Sequence, residues 1–423
     1  MKKVLLILFY AVFLLADTDI SLTATDHAAM KLLIGYIGSV ESMDQLDVAI
    51  LVTDLGFTKQ FDPVVRVFNK KPSKQAIKAL SKEGFYLAIF INPQRKNRID
   101  WCLYDVIQQK ELHAVSYHKK GALPRGWSHQ IADAIWPLLT GQPGFFSTRI
   151  AYCKETETIR GASIRELCIA DYNGMHEEIM VNGKTVLIGS RWNADLQNPL
   201  LFYSEYTDTN VRMMIVDMHK RRKIASNFDG TNMLPTFAPN GSSVIYCASK
   251  GDGYCQLYWY HDNVMVNITQ NSGNNISPIF SADGNKVYFC SDFKTKTPQI
   301  FEYDMITKVF VQLTEGGYCT SPTYCARTNQ LAYTRMVKGI MQVFIYDIVT
   351  KKHTQITFNS GNKEDCAWSA CGNYLLYSIG ENNSQHIALF NIINKEQQIL
   401  TAIKGKCSCP SWSPVYYEYP VVV

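Results

Sequence analysis

Two pairs of adjacent residues carry side chains that could exchange protons with a substrate. Glu364 and Asp365 form a carboxylate pair on a loop, and His261 stands next to Asp262 where a turn is predicted. Catalysis by two carboxylates needs a fixed separation between them, which neighbouring residues on a loop rarely keep. We therefore give Glu364 and Asp365 no acid-base role. We interpret the His261–Asp262 pair as part of a hairpin turn, and we predict no catalytic residue.

The twelve cysteines could bind a metal, or could form disulfides in an oxidising compartment. The zinc-type spacing Cys-x-x-Cys is absent, and the spacing of Cys407 with Cys409 suits a metal poorly. Most cysteines fall inside predicted strands, so we predict buried thiols, no metal and no other cofactor. Pairing of Cys319 with Cys325, or of Cys366 with Cys407, stays open because connectivity cannot be read from a sequence.

Three sequence motifs of enzymes are also missing. The chain has no Gly-x-Ser-x-Gly nucleophile elbow, no glycine-rich phosphate loop and no His-Glu-x-x-His zinc helix. The sequence therefore favours a binding protein over an enzyme.

The elements that position these residues repeat along the chain. A phrase of the type Pro-x-aromatic-Ser-x-Asp-Gly places its proline position at residues 190, 235, 278, 322, 367 and 410, with gaps of 43 to 45 residues. A fixed period of this length indicates one supersecondary unit copied several times.

Each repeat reads as four short strands, which predicts a β-propeller. Six strands that end in an aromatic residue begin at residues 150, 200, 244, 287, 331 and 375, so we predict six blades. The first of these strands has no phrase before it, and the last phrase has no blade after it. We therefore predict that the C-terminal strand pairs into the first blade, because an open ring would expose strand edges.

The chain before the repeats mixes strands and helices over residues 17–140, which indicates a small α/β domain. Strands are predicted at 20–24, 32–37, 86–91, 101–106 and 112–117, and helices at 43–55, 73–80 and 128–139. Ser73 is the predicted N-cap of the second helix. The fold class is therefore multidomain, with an α/β domain followed by a propeller over residues 145–415.

Residues 1–16 read as a signal peptide. Lys2 and Lys3 precede an apolar stretch that is shorter than the ~20 residues of a membrane span. We expect a soluble, exported monomer, with a short membrane anchor as the alternative. Without these two lysines the chain has 42 − 2 = 40 basic and 37 acidic residues. That balance is too near neutral to indicate nucleic acid binding.

The loops that precede the repeated phrase should converge at one mouth of the ring. They offer amides, hydroxyls, an aromatic ring and charges of both signs. We predict that ten of their residues bind a protein partner: Asn232, Met233, Asn274, Asn275, Tyr318, Thr320, Lys363, Glu364, Asp365 and Lys406. One alternative is that these are ordinary polar turn residues. The other is that the chain is an exported propeller hydrolase or lyase acting on cell-wall fragments.

The sequence resembles the TolB family, the periplasmic propeller component of the Tol–Pal system of Gram-negative bacteria. Residues 139–152 read Leu-Thr-Gly-Gln-Pro-Gly-Phe-Phe-Ser-Thr-Arg-Ile-Ala-Tyr. This is similar to the family's Leu-Thr-Gly-x-x-Gly-x-Phe-x-Thr-Arg-Ile-Ala-Tyr. Asp54-Leu55 with residues 59–63 is similar to the family's Asp-Leu…Phe-x-Pro, and residues 410–414 match its C-terminal phrase.

The resemblance implies a non-enzymatic adaptor that supports outer-membrane integrity and cell division from the periplasm. It implies that one mouth of the propeller binds the lipoprotein Pal, through the loops of Asn232, Asn275, Thr320 and Glu364. It also implies that the N-terminal segment, roughly residues 17–24, binds the inner-membrane protein TolA.

Overall fold

The computed structural model describes residues 29–39, 48–94, 98–118, 124–157, 163–195, 198–250, 253–381 and 383–414. The chain divides into two compact units, the first ending at Ser147 and the second beginning at Thr148. The predicted signal peptide and the predicted strand at 20–24 lie outside the described residues. Among the helices that are described, none is long and apolar enough to cross a membrane.

Within the described residues, the first unit is a five-stranded mixed sheet with three α-helices and a 3-10 helix at Leu80–Glu83. Its elements are β1 Met30–Ile37, α1 Val48–Phe57, β2 Phe61–Phe68, α2 Lys74–Ala79, β3 Leu87–Gln94, β4 Arg98–Asp105, β5 Lys110–His118 and α3 Pro124–Thr140. The sheet order is β2-β1-β3-β4-β5, with β1 parallel to β2 and to β3. The predicted N-cap of α2 is confirmed, since the Ser73 hydroxyl accepts a hydrogen bond from the Ala76 amide at 3.3 Å.

Strand β2 was not predicted from the sequence. It contains Pro63, and proline in a run of apolar residues argues against a central strand because it cannot donate to the ladder. The structure agrees with that reasoning in part, since β2 lies at the edge of the sheet and pairs only with β1.

The segment that follows α3, residues 141–147 of the first unit, is held by a buried carboxylate. Asp133 on α3 accepts hydrogen bonds from the amides of Phe146 at 2.7 Å and Ser147 at 2.9 Å. Gly144 passes so close that an added Cβ would lie 2.6 Å from the Asp133 Cα atom. The second glycine of the family motif is therefore required by close approach of the backbone.

The second unit consists of strands. They are β6 Arg149–Glu157, β7 Ser163–Asp171, β8 Glu178–Gly183, β9 Leu187–Trp192, β10 Leu200–Tyr206, β11 Val211–Asp217, β12 Arg222–Ser226, β13 Asn232–Phe237, β14 Ser243–Ala248, β15 Gln256–His261, β16 Val264–Asn267, β17 Asn275–Phe280, β18 Lys286–Ser291, β19 Gln299–Asp304, β20 Phe310–Gln312, β21 Cys319–Cys325, β22 Gln330–Val337, β23 Ile340–Asp347, β24 Lys352–Gln355, β25 Asn362–Trp368, β26 Tyr374–Glu381, β27 Ser384–Asn391, β28 Gln397–Ile399 and β29 Lys406–Trp412.

These strands form six four-stranded sheets, which confirms the predicted six-bladed propeller. Five blades are built from consecutive strands, β9–β12, β13–β16, β17–β20, β21–β24 and β25–β28. The sixth has the order β29-β6-β7-β8, so the C-terminal strand closes the ring as predicted. At this seam the Trp412 indole donates to the Thr148 hydroxyl at 2.7 Å, and the Arg149 amide donates to the Ser413 hydroxyl at 2.8 Å.

One detail of the predicted repeat is wrong by one residue. In β21 the pairing with β22 skips Ser321 and Pro322, the proline position and the residue before it. In β25 the pairing with β26 skips Asp365 and Cys366. Cys366, not residue 367, therefore occupies the proline position. The corrected positions 322, 366 and 410 are evenly spaced by 44 residues.

Asp133 makes the stability of the first unit depend on pH. Burial, the largest cause, raises its pKa from 3.8 to about 6. The folded state therefore binds this proton more tightly than the unfolded chain does. The contribution of Asp133 to the free energy of unfolding should fall as pH rises from about 4 to about 6, by roughly 3 kcal/mol. Asp133→Asn should flatten this slope in urea titrations at pH 4, 5, 6 and 7. Asp62→Asn, at an exposed site, should leave the slope unchanged, and an unchanged slope in Asp133→Asn would contradict the assignment.

Candidate functional site

The first strand of each blade lines a cavity inside the ring. We call β9, β13, β17, β21, β25 and β29 the inner strands. The cavity measures about 380 Å³, and its walls include Pro235, Pro278 and Pro322 of the repeated phrase. It reaches toward the C-terminal ends of the inner strands. Among the described residues that line it, none belongs to the ten predicted to bind a partner.

Antiparallel pairing sorts the connections of the ring onto two faces. The chain enters each inner strand from one face, and the turn between the second and third strand of a blade returns to that face. We call it the loop face, and the opposite one the turn face. The ten predicted residues lie at the start of the inner strands or just before them, so the structure brings them to the loop face.

Each inner strand has a β-bulge at a residue with positive φ. These residues are Gly189, Leu234, Ser277, Ser321, Asp365 and Cys409, with φ between 51° and 69°. The pairing with the second strand shifts register around each of them. Positive φ costs a residue other than glycine on the order of 1–2 kcal/mol. Because a bulge adds a residue, side chains on its two sides do not follow the simple alternation of a strand.

Asn232 and Asn275, two of the predicted residues, are buried and hold the loops in front of them. Both residues are 0% exposed. The Asn232 side-chain amide donates to the Phe228 carbonyl at 2.6 Å, and that of Asn275 donates to the Gly273 carbonyl at 2.9 Å. Buried carbonyls need donors, and these amides supply them. The expectation that the two side chains face a partner is therefore corrected.

Lys363 occupies the same position in β25 and is also 0% exposed. Its ammonium donates to the carbonyls of Ser360 at 2.7 Å and Gly361 at 2.8 Å, and burial lowers its pKa. The expectation of a partner contact is corrected here too. Cys319 and Cys407 stand at this position in β21 and β29, where their thiols point at loop carbonyls 3.7 to 3.9 Å away.

Three predicted residues, Asn274, Tyr318 and Glu364, are exposed on the loop face. The Asn274 backbone amide donates a hydrogen bond to the Asp292 carboxylate at 2.7 Å. Burial is the main cause that raises the pKa of the Tyr318 phenol, and nearby negative charge, including that of Glu364 and Asp292, adds to it. Asn274 contacts Asp292, and the charges of Asp292 and Glu364 both act on the Tyr318 phenol, so the four residues lie near one another on the loop face. We call Asn274, Asp292, Tyr318 and Glu364 the loop-face patch.

The four remaining predicted residues, Met233, Thr320, Asp365 and Lys406, are half-buried. Met233 packs against the apolar core between two blades. The Asp365 carboxylate accepts a hydrogen bond from the Ser321 hydroxyl of the neighbouring blade at 3.4 Å. Glu364 is exposed only in part, and the partial burial of its carboxylate, followed by the charge of Asp365, raises its pKa. Partner binding by these residues stays a prediction.

Asp292 is not among the ten predicted residues, because the prediction covers only the loops before the repeated phrase. It lies in the turn after β18, the second strand of its blade. The alternation of antiparallel strands, which can be read from the sequence, places that turn on the loop face.

The His261–Asp262 pair is part of a hairpin, as interpreted from the sequence. It joins β15 to β16, and the two loop residues, Asp262 and Asn263, have φ of 47° and 61°. Positive φ at both positions is the geometry of a type I′ turn. His261 stacks on Trp259, with ring centroids 3.7 Å apart.

The twelve cysteines are free thiols, ten of them buried. Cys319 and Cys325 lie at opposite ends of β21, roughly 20 Å apart for an extended strand, which rules out a disulfide between them. Cys366 and Cys407 are likewise unlinked. Within the described residues, no three His, Cys, Asp or Glu side chains are grouped so that they could hold a metal ion.

Comparison with known proteins decides the family. Residues 136–416, more than half of the chain, match the family described as the TolB beta propeller domain. The chain belongs to the TolB β-propeller family. The motif at residues 139–152 has structural roles in this chain. The Gly144 backbone lies against Asp133, and the Thr148 hydroxyl accepts a hydrogen bond from Trp412.

Curated relatives match a shorter part of the chain. The Tol-Pal system protein TolB of Gluconobacter oxydans is 31% identical over 157 residues. The protein of the same name from Rickettsia prowazekii is 27% identical over 158 residues. Each alignment covers 37% of this chain and 34% of the relative, so the chain matches about a third of the length of these relatives.

A solved structure extends the similarity in fold to most of the chain. The crystal structure of TolB from Acinetobacter baumannii superimposes with a TM-score of 0.76 at 23% identity. It covers 91% of this chain and 97% of its own. The order of an α/β region and a six-bladed propeller is therefore shared.

The buried lysine provides a test of the loop-holding role. Lys363→Met should leave loop carbonyls without their donor and cost roughly 1–3 kcal/mol of unfolding free energy. Amide hydrogen exchange should rise over residues 356–363 more than elsewhere. Lys352→Met is the matched control, because Lys352 is exposed on β24, the last strand of the neighbouring blade. Equal effects of the two substitutions would contradict a structural role for Lys363.

Proposed function

We propose that this protein is a non-enzymatic adaptor of the Tol–Pal system in the periplasm. It binds the lipoprotein Pal through the loop face and TolA through the N-terminal segment, and so supports envelope integrity and cell division. The observation that carries the proposal is a ring of loops fixed from inside by buried side chains. Relatives named Tol-Pal system protein TolB support the choice of system.

Fixed loops suit a binding surface because little conformational entropy is lost on binding. The loop before β25 is held by the Lys363 ammonium, and the loops before β13 and β17 are held by Asn232 and Asn275. The backbone is therefore already in place when a partner arrives. These three residues act in recognition through the loops and make no contact of their own.

The loop-face patch supplies the contacts. Tyr318 is 42% exposed and offers a large amphipathic side chain of the kind that dominates interface energetics. Asp292 and Glu364 give the patch a negative charge, which favours a partner with basic side chains. Charge complementarity of this kind raises the association rate and weakens as salt is added. The segment proposed to bind TolA, residues 17–24, lies outside the described residues.

The alternative, a propeller hydrolase or lyase, would need acid and base groups brought together. The adjacent carboxylates Glu364 and Asp365 are the candidates on the loop face. Asp365 instead sits at a bulge and accepts a hydrogen bond from Ser321. We retain the adaptor and treat turnover of cell-wall fragments as the outcome that would replace it.

Calorimetry with the soluble domain of Pal from the same organism tests the adaptor. Tyr318→Ala and Glu364→Lys should each raise Kd roughly 10- to 100-fold, because each removes a contact at the centre of the patch. The effect of Glu364→Lys should shrink as salt rises. Lys352→Glu, on the outer edge of the ring, should bind normally. Unchanged affinity in the folded Tyr318→Ala, Glu364→Lys double variant would rule out this face.

A further inference from the structure

The seam of the ring brings two cysteines together. Cys153 lies on β6 and Cys409 on β29, the two strands whose pairing closes the propeller. Cys153 is 5% exposed and belongs to an apolar cluster against which Cys409 packs. Both residues are thiols in the structure.

The bulge in β29 explains why the thiols meet. Cys153 pairs directly with Ser408, and so the residue after Ser408 would point to the opposite side of a regular strand. Cys409 has φ of 51°, and the pairing resumes only at Ser411 with Ala151. The bulge thus turns Cys409 to the side of the sheet that Cys153 occupies.

The other five blades show what these two positions usually hold. The position of Cys153, which pairs with the residue before the bulge, is filled by Ser204, Cys247, Cys290, Thr334 and Ser378. The position of Cys409 is filled by Gly189, Leu234, Ser277, Ser321 and Asp365. Cysteine therefore stands at both positions in one blade of the six, and that blade is the one made from the two ends of the propeller.

We propose that Cys153 and Cys409 form a disulfide that closes the propeller covalently. The oxidant is a small or protein disulfide of the glutathione class. One cysteine thiolate attacks a sulfur of the oxidant, which forms a mixed disulfide and releases one reduced thiol. The second cysteine displaces the other half as a second reduced thiol, so two electrons and two protons pass to the oxidant.

The surroundings of the thiols indicate when the bond forms. A hydrogen bond shared with Cys153, together with burial, raises the pKa of the Cys409 thiol. Thiol–disulfide exchange needs a thiolate and access for the oxidant. Exchange on the folded ring should therefore be slow. We expect the bond to form while β29 is undocked, during folding.

A bond at this seam should stabilise the ring. It would join residues 153 and 409, which enclose nearly all of the propeller, and the stabilisation from a disulfide grows with the length of the closed loop. Unfolding of the propeller then has to proceed without separating its two end strands.

The experiment refolds the full chain in reduced and oxidised glutathione. Non-reducing peptide mapping should find the Cys153–Cys409 link, and titration in denaturant should find two thiols fewer than the twelve of the reduced chain. The oxidised protein should melt on the order of 10 °C above the reduced protein. Adding oxidised glutathione to the folded, reduced protein should give the link at least tenfold more slowly.

Serine variants serve as controls that the chain itself provides. Cys153→Ser places the residue found at 204 and 378, and Cys409→Ser the residue found at 277 and 321. Both should fold, and both should lose the redox-dependent shift in melting temperature. Cys247→Ser, at the Cys153 position of another blade, should keep the shift. Twelve free thiols after oxidative refolding, a link between other cysteines, or a redox shift that persists in Cys409→Ser would overturn the proposal.

Discussion

The propeller depends on the pairing of its last strand with its first. Blades of a ring bury their apolar faces against each other, as in the cluster that joins Leu201 and Trp192 of one blade to Ala151 and Leu167 of the next. Without β29, the blade of β6 would lose its inner strand, and its neighbour would lose the surface on which it packs. The two blades at the seam would then expose apolar residues and a strand edge. Hydrogen bonds from Trp412 to Thr148 and between Arg149 and Ser413 fix this pairing at residues of the family motif.

Ring closure also decides where polar side chains are used. The start of each inner strand carries a side chain that is enclosed by the loop before it, and in five of the six blades that side chain can donate a hydrogen bond: Asn232, Asn275, Cys319, Lys363 and Cys407. The donors satisfy loop carbonyls that would otherwise be buried without partners. The polar side chains at these positions thus form hydrogen bonds inside the protein. Under the proposed function, recognition falls to side chains that remain exposed on the loop face, such as Tyr318 and Glu364.

The period of the sequence was enough to predict the blades, their number and the closure, because each copy must bury the same face against its neighbours. Strand β2 is not predictable in this way, because Pro63 is tolerated in an edge strand but does not indicate a strand. The candidate site was less predictable. A polar residue at the entrance of a strand looks the same in sequence whether it meets a partner or its own loop. Asn232, Asn275 and Lys363 could be assigned only once their distances to the loop carbonyls were known.

The bulges show why one backbone device can serve different ends. If conformation alone chose the residue at positive φ, all six positions would be glycine, yet five carry a side chain. The exception, Gly189, has a further reason, since an added Cβ would lie 2.8 Å from the Leu234 side chain of the neighbouring bulge. Asp365 likewise meets Ser321 of the next blade, and Cys409 meets Cys153. At Gly189 and Asp365 the residue at the bulge is therefore matched to the bulge of the neighbouring blade, whereas Cys409 meets Cys153 within its own blade.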